Sequence, residues 1–358
     1  MKINKFYTAL VCVLCSVLFA LVLSSCTRKE KMYKESRTLM DTYCTITVVS
    51  PSKEKAAEAI DKGFAEIKKL ELLLNYFSDE SEITAVNKAA GTGPVKVSGE
   101  TLEMMQKTLE ISKATNGTFD PTIAPVLKLW KFSGRPADPS IPDSDALERA
   151  LKLVNYKKIR INGKSSTAYL EDKAMEIDLG GIAKGYAADK AMKAIKAEGI
   201  NAALVAVAGD IRGFGLNASG KAWKVGIQDP RPETRSEKPW EDLFASLYLE
   251  DMAISTSGDY QRFFIKDGKR YHHIIDPATG FPAETDLISA SVIAPQGYIA
   301  DGLSTAVFAL GSEKGMSLLK VMGIEGVLVD RDRNVFVTEG IRKKINILKN
   351  EYRINEQN

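Results

Sequence analysis

Cysteine is scarce in this sequence, which excludes a disulfide framework. Cys12 and Cys15 lie inside an N-terminal apolar segment, Cys26 follows that segment, and only Cys44 remains in the body of the chain. A single thiol cannot form an intramolecular disulfide. The CxxC spacing of Cys12 and Cys15 is no redox motif, because both residues belong to the apolar segment.

An excess of charge of one sign is also lacking. The chain has 49 Lys and Arg residues against 46 Asp and Glu residues, a net charge of +3. Removal of Lys2 and Lys5 with an export signal lowers this charge by two, to +1. We therefore expect no nucleic-acid partner, since such partners select strongly basic surfaces. With 44% hydrophobic and 27% charged residues, the composition is that of an ordinary folded domain.

A long apolar run lies at the N-terminus. Lys2 and Lys5 precede residues 6–23, and the run ends in the sequence LSSC. This order of basic, apolar and small residues is typical of an export signal over residues 1–25. LSSC resembles a bacterial lipobox, which implies that Cys26 carries a lipid and that residues 26–37 form a lipid-anchored tether. The body would then be exported and face the periplasm or the cell exterior. The alternative is an uncleaved signal anchor.

A glycine pair between an apolar stretch and a helix is the centre of the sequence. Residues 176–189 read EIDLGGIAKGYAAD, which predicts the end of a strand, Asp178 at its tip and a helix from near residue 182. Gly180 and Gly181 allow the backbone to approach a ligand closely. Free N–H groups of the first helical turn, together with Lys184, suit a phosphate, and a carboxylate beside them suits a divalent metal. The alternative is an ordinary tight turn with a solvated Lys184.

A second carboxylate follows a predicted buried strand. Residues 202–208 are an apolar run, and Gly209 and Asp210 end it. Strand, glycine turn, helix and strand, with Asp178 and Asp210 at the two strand ends, resemble half of a nucleotide-binding α/β unit. The sequence lacks GxGxxG, so a nicotinamide-binding Rossmann domain is a poor fit.

The remaining patterns predict a single α+β body over residues 38–350, with mixed sheets, outer helices and a cleft between two halves. Alternating Thr and apolar residues predict a first strand over residues 38–50, and apolar residues at helical spacing predict a helix over residues 52–74. A further helix is expected over residues 98–115. Tyr76, between these helices, is either the wall of a site for a planar ligand or ordinary packing.

Two further segments offer polar groups to a ligand. Residues 255–258, Ser-Thr-Ser-Gly, supply hydroxyls and an open backbone for phosphate oxygens, although such residues usually form a turn. Residues 271–282 contain both histidines and the turn sequence DPATG. On a strand, His272 and His273 would face opposite ways, so only one of them can enter a given pocket. A histidine there can exchange a proton near neutral pH.

A helix predicted over residues 297–311 carries Asp301 and Thr305 four positions apart. This spacing places the carboxylate and the hydroxyl on one face. Hard oxygen ligands suit Mg²⁺, which completes its shell with water and substrate phosphates. The alternative is an acidic residue that favours the helix dipole, with Thr305 merely packed.

Taken in order, these segments resemble the ApbE family, the FAD:protein FMN transferases. The resemblance extends from Met40 to about Val329 and rests on separated motifs in the family's order: YFSDESEI, NGTFDPTIAPVLKLW, DLGGIAKGYAAD, AGDIRGFG, VGIQDPR, STSGDY, HHIIDPATG and ADGLSTAVFALG. It implies a mixed-sheet, T-fold-like α+β body with outer helices and a central FAD cleft.

The same resemblance implies Mg²⁺-dependent transfer of FMN from FAD onto a Thr or Ser hydroxyl of another protein through a phosphoester bond, with release of AMP. His273 would be the base and Asp301 would act beside it. Gly181, Asp301 and Thr305 would hold Mg²⁺, or Mn²⁺ in its place. The implied FAD-binding residues are Met40, Tyr76, Thr118, Phe119, Asp120, Asp178, Lys184, Asp210, Ser257, His272 and His273.

Two other functions remain open. A metal-dependent FAD pyrophosphatase would use the same residues with water as the acceptor, and a lipid-anchored binding protein would capture flavin without cleaving it. The chain contains no SGAT-like or SGAS-like stretch, so we expect it to modify partners in trans. The partners implied by the resemblance are flavin-carrying subunits of membrane electron-transport complexes.

Overall fold

The computed structural model describes residues 30–132, 140–232 and 241–355. The predicted signal peptide and the predicted lipidation site, Cys26, lie outside these ranges. Within them, no helix is long and apolar enough to cross a membrane.

Seventeen strands are present in the described ranges. They are β1 (Lys31–Leu39), β2 (Thr42–Ser50), β3 (Val95–Lys96), β4 (Ile159–Asn162), β5 (Thr167–Leu170), β6 (Ala203–Val207), β7 (Asp210–Phe214), β8 (Trp223–Gln228), β9 (Leu243–Leu249), β10 (Ala253–Gly258), β11 (Phe263–Lys266), β12 (Lys269–His272), β13 (Leu287–Ala294), β14 (Glu325–Asp330), β15 (Asn334–Val337), β16 (Asn346–Ile347) and β17 (Arg353–Ile354).

Eight α-helices occur in the same parts of the chain. They are α1 (Lys53–Leu74), α2 (Glu82–Lys88), α3 (Gly99–Ala114), α4 (Ala124–Trp130), α5 (Ser144–Leu151), α6 (Ala183–Ala197), α7 (Gly297–Met322) and α8 (Glu339–Arg342). Two 3₁₀ turns, Pro121–Ile123 and Tyr156–Lys158, complete the helical elements.

Side-chain caps explain where several helices begin. The side chains of Ser52, Ser98 and Asp143 accept backbone N–H groups at the starts of α1, α3 and α5, which satisfies donors that have no partner inside the helix. The helices predicted over residues 52–74 and 98–115 are confirmed. The predicted helix at residue 297 continues past Gly311, where a positive φ of 82° kinks it.

The main sheet has nine strands in the order β1-β2-β6-β7-β10-β13-β14-β15-β17. Neighbours pair antiparallel except β15 and β17, which are parallel. Side chains alternate between two buried faces: Leu328 of β14 packs in the core beneath α1, α6 and α7, while Val327 and Val329 pack against the small sheet β16-β9-β8. The structure is therefore an α+β fold with mixed sheets and outer helices, as predicted.

β1 is an edge strand that pairs with β2 along its whole length. Met40 and Asp41 form the turn between them, both with positive φ. The predicted tether over residues 26–37 is wrong for residues 31–37, which belong to β1. The strand predicted over residues 38–50 is confirmed as β2 from residue 42 onward, and the residues before it are the turn and the end of β1. The charged residues of β1 are exposed, so their polarity protects a sheet edge from further pairing and does not mark a linker.

The predicted half of a nucleotide-binding α/β unit is not present. β6 and β7 form an antiparallel hairpin. Asp210 is the first residue of β7, whereas in a parallel unit the chain would leave the sheet after that carboxylate. Residues 176–177, predicted to end a strand, belong to no strand. The Asn87 side chain instead accepts the N–H of Ile177 at 2.8 Å and donates to its carbonyl oxygen at 3.0 Å. A side chain thus supplies the hydrogen bonds that the pattern suggested a sheet would supply.

α6 and α7 approach each other so closely that both require glycine at the contact. A Cβ atom on Gly185 would lie 2.2 Å from the carbonyl oxygen of Gly297, and a Cβ atom on Gly297 would lie 2.3 Å from that of Gly185. Any side chain at either position would force the helices apart. The contact brings the first turn of α6, with Lys184, against the start of α7, with Asp301.

Candidate functional site

An ammonium group lies between two carboxylates where α6, α7 and β7 meet. Lys184 Nζ is 3.0 Å from Asp210 Oδ2 and 3.6 Å from Asp301 Oδ2. Asp301 Oδ2 also accepts the N–H of Gly185 at 2.9 Å. Three of the predicted site residues from distant segments are therefore brought together, and we refer to this place as the Lys184 site.

At the Lys184 site, the ammonium attracts both carboxylates, while the two carboxylates repel each other. Burial lowers the pKa of Lys184, but the charges of Asp210 and Asp301 outweigh it, so the pKa is raised. Burial raises the pKa of Asp301, and the charge of Asp210 raises it further against the opposing ammonium. A second cation beside Asp301 would relieve the repulsion between the two carboxylates.

Hydroxyl groups connect Asp210 to α7. Ser255 Oγ donates to Asp210 Oδ1, and Ser257 Oγ lies 2.9 Å from Ser304 Oγ and 3.3 Å from Thr305 Oγ1. Residues 255–258 are part of β10, so the alternative of a simple turn there is wrong. Ser257 and Thr305, both predicted site residues, share one hydroxyl network.

Gly181 leaves a space beside the hydroxyl of Thr305. A Cβ atom on Gly181 would lie 3.1 Å from Phe119 Cε2 and 3.7 Å from Thr305 Oγ1, so a side chain would fill this space. Asp301, Thr305 and the carbonyl of Gly181 are hard oxygen donors of the kind that Mg²⁺ prefers. The residues present therefore fit the predicted metal. Within the described ranges no three His, Cys, Asp or Glu side chains cluster to hold a metal.

His273 and Asp178 lie within electrostatic range of the same two cations, Arg262 and Lys184. Burial and the charge of Arg262 lower the pKa of His273 to about 3. The imidazole is therefore uncharged at neutral pH, and its Nδ1 atom has no hydrogen-bond partner among the described residues. The charge of Lys184 lowers the pKa of His273 and also opposes the raised pKa of Asp301, so both residues lie near the same ammonium.

His272 has a different environment from its neighbour. Its ring packs edge-on against Phe308 of α7 at a centroid distance of 5.4 Å, and the residue is buried. Burial lowers its pKa. The two histidines therefore have separate surroundings, and the core position of His272 does not favour its predicted contact with FAD.

The carboxylate of Asp120 is occupied by hydrogen bonds within the protein. Oδ1 accepts the N–H of Thr122 at 2.9 Å and its hydroxyl at 2.5 Å, and Oδ2 accepts the N–H of Tyr156 at 2.9 Å. These bonds cap the first 3₁₀ turn and so hold the adjacent Phe119 and the half-buried Thr118 in place. Asp120 thus acts on the site through the loop, and its partners do not favour a direct contact with FAD.

Tyr76 lies beside the segment that leads to Asp178. Its hydroxyl donates to Glu176 Oε2, and Lys128 Nζ donates to Glu176 Oε1 at 2.6 Å. The ring of Tyr76 meets that of Phe77 edge-on at 5.2 Å. The side chain is half-buried and held by its hydrogen bond to Glu176. The contact of Tyr76 with FAD stays a prediction.

Met40 lies at the same end of the main sheet as Asp210. Its N–H donates to Glu71 Oε1 at 2.7 Å, which fixes the turn between β1 and β2. The N–H of Ala208 donates to the carbonyl of Tyr43 at 3.0 Å, so this turn neighbours the one that precedes Asp210. The contact of Met40 with FAD stays a prediction.

Sequence reasoning missed some residues that build the site. Ser304 was not singled out, because hydroxyl residues on helices are common. The hydroxyl of Ser255 was expected to meet phosphate oxygens, and its bond to Asp210 was not foreseen. Gly185 and Gly297 did carry a signal, since an isolated glycine inside a helical pattern usually has a packing reason.

A groove of about 470 Å³ lies elsewhere, between α3 and β4. Its lining includes Lys113, Ile159 and Arg160, and none of the predicted site residues. The Lys184 site is therefore identified by its converging charges and hydroxyls and not by the size of a cavity.

Comparisons with known proteins agree on one family. The model of the ApbE family matches residues 40–328. A protein of Treponema pallidum named FAD:protein FMN transferase is 35% identical, with 95% of this chain and 94% of that protein covered. The crystal structure of the ApbE protein of Thermotoga maritima superposes with a TM-score of 0.79 at 30% identity, with 88% of this chain and 99% of that one covered. The apo form of a flavinyl transferase from Pseudomonas stutzeri gives 0.77 at 27% identity, with 88% and 97% covered.

Proposed function

Because this chain belongs to the ApbE family, we propose that it is an enzyme that transfers FMN from FAD to another protein. Relatives with this activity in their names cover nearly the whole chain at 35% and 31% identity. The observation that carries the proposal is the convergence of Lys184, Asp210 and Asp301 from three distant segments, with His273 in electrostatic range of the same lysine.

The transfer has a simple balance of bonds. The acceptor hydroxyl oxygen of a Thr or Ser forms a bond to the phosphorus of the FMN half of FAD, and the bond from that phosphorus to the bridging oxygen breaks. AMP leaves with the bridging oxygen. His273 accepts the proton of the hydroxyl, because a hydroxyl is a poor nucleophile until a base removes its proton. The negative charge of bound FAD offsets Arg262 and so makes the imidazole a better base.

Groups on the protein stabilise the charge that develops on the phosphates. The ammonium of Lys184 favours an anion beside the start of α6. The N–H groups of Ala183 and Gly185 in this first turn already donate to the carbonyl of Leu179 and to Asp301 Oδ2, so the ammonium carries this role. Asp301, Thr305 and the carbonyl of Gly181 would hold Mg²⁺ or Mn²⁺, which when bound supplies further positive charge to the phosphate oxygens. Tyr76 and Phe119 would border the flavin.

The cellular setting is also part of the proposal. The lipobox-like LSSC sequence supports an exported protein that is anchored through Cys26. The resemblance to the family implies acceptors among membrane electron-transport subunits. Replacement of Cys26 by Ser should abolish incorporation of labelled fatty acid. Retention of the label in that variant would contradict the anchor.

One experiment tests the activity. The purified chain is incubated with FAD and MgCl₂, with and without a co-expressed membrane flavoprotein subunit, and AMP, free FMN and FMN on Thr or Ser are measured by mass spectrometry. We expect covalent FMN on the acceptor and AMP in equal amounts. Free FMN in both tubes would favour the pyrophosphatase, and bound FAD without AMP would favour a binding protein.

Matched variants identify the site. Asp301→Asn should lower AMP release by at least about 100-fold, as does removal of a group that stabilises transition-state charge. Glu148→Gln is the control, because Glu148 is exposed and pairs only with Lys152 among the described residues. Equal rates of AMP release in the two variants would contradict the assignment of the Lys184 site as the active site.

A further inference from the structure

We infer that Asp189, the last residue of the segment EIDLGGIAKGYAAD, is a positioning residue that sets the proposed metal ligand Asp301 against Lys184. The inference deepens the proposed function and rests on it. Asp189 touches neither the substrate nor the metal in this account and acts only through the helix that carries Asp301.

The start of α7 has no cap of its own. Gln296 is the residue before the helix and makes no side-chain hydrogen bond to it. The first N–H groups of a helix need partners from outside. Asp189 of α6 supplies them: Oδ1 accepts the N–H of Gly297 at 2.8 Å and Oδ2 accepts that of Tyr298 at 3.1 Å. A carboxylate also favours the positive end of the helix dipole.

The same face of α6 makes two further contacts with α7. Asp189 follows Gly185 by four residues, so both lie on one face of the helix. Gly185 is in backbone contact with Gly297, and its N–H donates to Asp301 Oδ2. The hydrogen bonds from the start of α7 to Asp189 therefore hold α7 against α6, one turn away from the place where Asp301 and Lys184 meet.

A strand is tied to the same carboxylate. Arg212 Nε lies 3.4 Å from Asp189 Oδ1, and Asp210, two residues earlier on β7, lies 3.0 Å from Lys184. Residues two apart on a strand point to the same side. β7 thus meets α6 through two ion pairs, and Asp189 joins the three elements that supply Lys184, Asp210 and Asp301.

Loss of this carboxylate has a specific consequence. Without it the N–H groups of Gly297 and Tyr298 lose their partner and the start of α7 can move away from α6. Asp301, one turn into α7, then moves relative to Lys184. Residues that orient metal ligands from behind usually change metal affinity 10–100-fold when they are replaced.

The test separates positioning from simple stability. The full-length protein is titrated with MgCl₂ at constant FAD, and the midpoint is read from the rise in Tm, which needs no turnover. We expect Asp189→Ala to raise the half-saturating MgCl₂ concentration by at least about tenfold. Asp189→Asn, which keeps one acceptor and the shape, should give a smaller rise.

Asp143→Ala is the matched control. Asp143 caps α5 by accepting the N–H of Ala146 at 2.9 Å, and α5 carries none of the site residues. This variant should lower Tm without FAD or metal, with an unchanged MgCl₂ midpoint.

The outcomes distinguish the inference from the function on which it rests. A midpoint within twofold of the wild type in both Asp189 variants, while wild type releases AMP, would overturn the inference alone. A wild-type chain that neither responds to MgCl₂ nor releases AMP would overturn both. If Asp189→Ala does not fold, the midpoint of Asp189→Asn decides, with an unchanged value counting against the inference.

Discussion

At the scale of single residues, His273 and Lys184 divide the chemistry between them. The imidazole is kept uncharged by burial and by Arg262, while the ammonium is kept charged by two carboxylates. One group can therefore accept a proton under conditions in which the other attracts an anion. Transfer of a phosphoryl group to a hydroxyl needs both a base for the hydroxyl and positive charge beside the phosphates.

Replacement of His273 by Gln should remove the base and leave the charges in place. We expect kcat for transfer to fall by about 100-fold or more, with little change in the KM for FAD. Steady-state kinetics of AMP release in the presence of acceptor checks this. A parallel loss of FAD affinity would show instead that His273 binds the substrate.

Gly181→Ala should affect the metal more than the fold. The new Cβ would crowd Phe119 and approach Thr305, so we expect a loss of about 1 kcal/mol in the free energy of unfolding and about tenfold weaker MgCl₂ binding. Urea unfolding and the MgCl₂ titration measure the two effects. Gly163→Ala is the control, since its Cβ would meet nothing within 4 Å. Equal MgCl₂ midpoints in the two variants would argue against a metal beside Gly181.

A residue could be predicted at this scale when its partners are close to it in the sequence. Lys184 and Asp301 follow from motifs in which a glycine pair or a helical repeat fixes the geometry nearby. The partners of Asp120 could not be predicted, because the N–H of Tyr156 comes from another element. The packing of His272 on Phe308 is equally distant in sequence.

At the scale of elements, the contact between α6 and α7 depends on two glycines. Gly185→Ala would place a Cβ 2.2 Å from a backbone oxygen, and a backbone cannot turn away as a side chain can. We expect a loss of about 1–3 kcal/mol or more in unfolding free energy together with loss of AMP release. Gly99→Ala, in the first turn of α3 with open space around it, should leave both unchanged. Activity at the wild-type level in Gly185→Ala would contradict the role of this contact.

Helices could be predicted well and sheet partners poorly. Serine caps and apolar spacing are local signals, so α1 and α3 begin within one residue of the predicted place. Strand pairing is not local. Residues 176–177, expected to end the first strand of an α/β unit, pair with no strand. Part of a polar strand, β1, was mistaken for a tether because edge strands and linkers share charged residues.

At the scale of the whole molecule, a buried aspartate joins the C-terminal segment to the small sheet. Asp229 accepts the ammonium of Lys349 at 2.6 Å, the N–H of Arg231 at 2.7 Å and the hydroxyl of Tyr352. Burial raises its pKa, but the bonds from Lys349 and Tyr352 outweigh burial, so the pKa lies below the ordinary value. A group with a depressed folded-state pKa contributes stability that is complete above its unfolded pKa of about 3.9 and is lost as pH falls through the folded value.

Asp229→Asn should therefore be less stable than the wild type by about 1–3 kcal/mol at neutral pH. The difference should narrow as the pH falls below about 4. Urea unfolding between neutral pH and about pH 3 measures it, with the fully exposed Asp79→Asn as a control that should differ little at any pH. A difference that stays constant across this range would contradict the role of the Asp229 charge.

The pairing of β1 with β2 limits the reach of the enzyme. If Cys26 carries a lipid as proposed, residues 27–30 alone join it to the edge strand, and they span at most roughly 14 Å when fully extended. The other end of β1, next to Met40, is roughly 26 Å further along the strand. With that anchor, the short connection and the rigid strand would keep the reaction within roughly 40 Å of the bilayer. Acceptors embedded in the membrane would then be within reach, and proteins in free solution would be modified only when they approach the membrane.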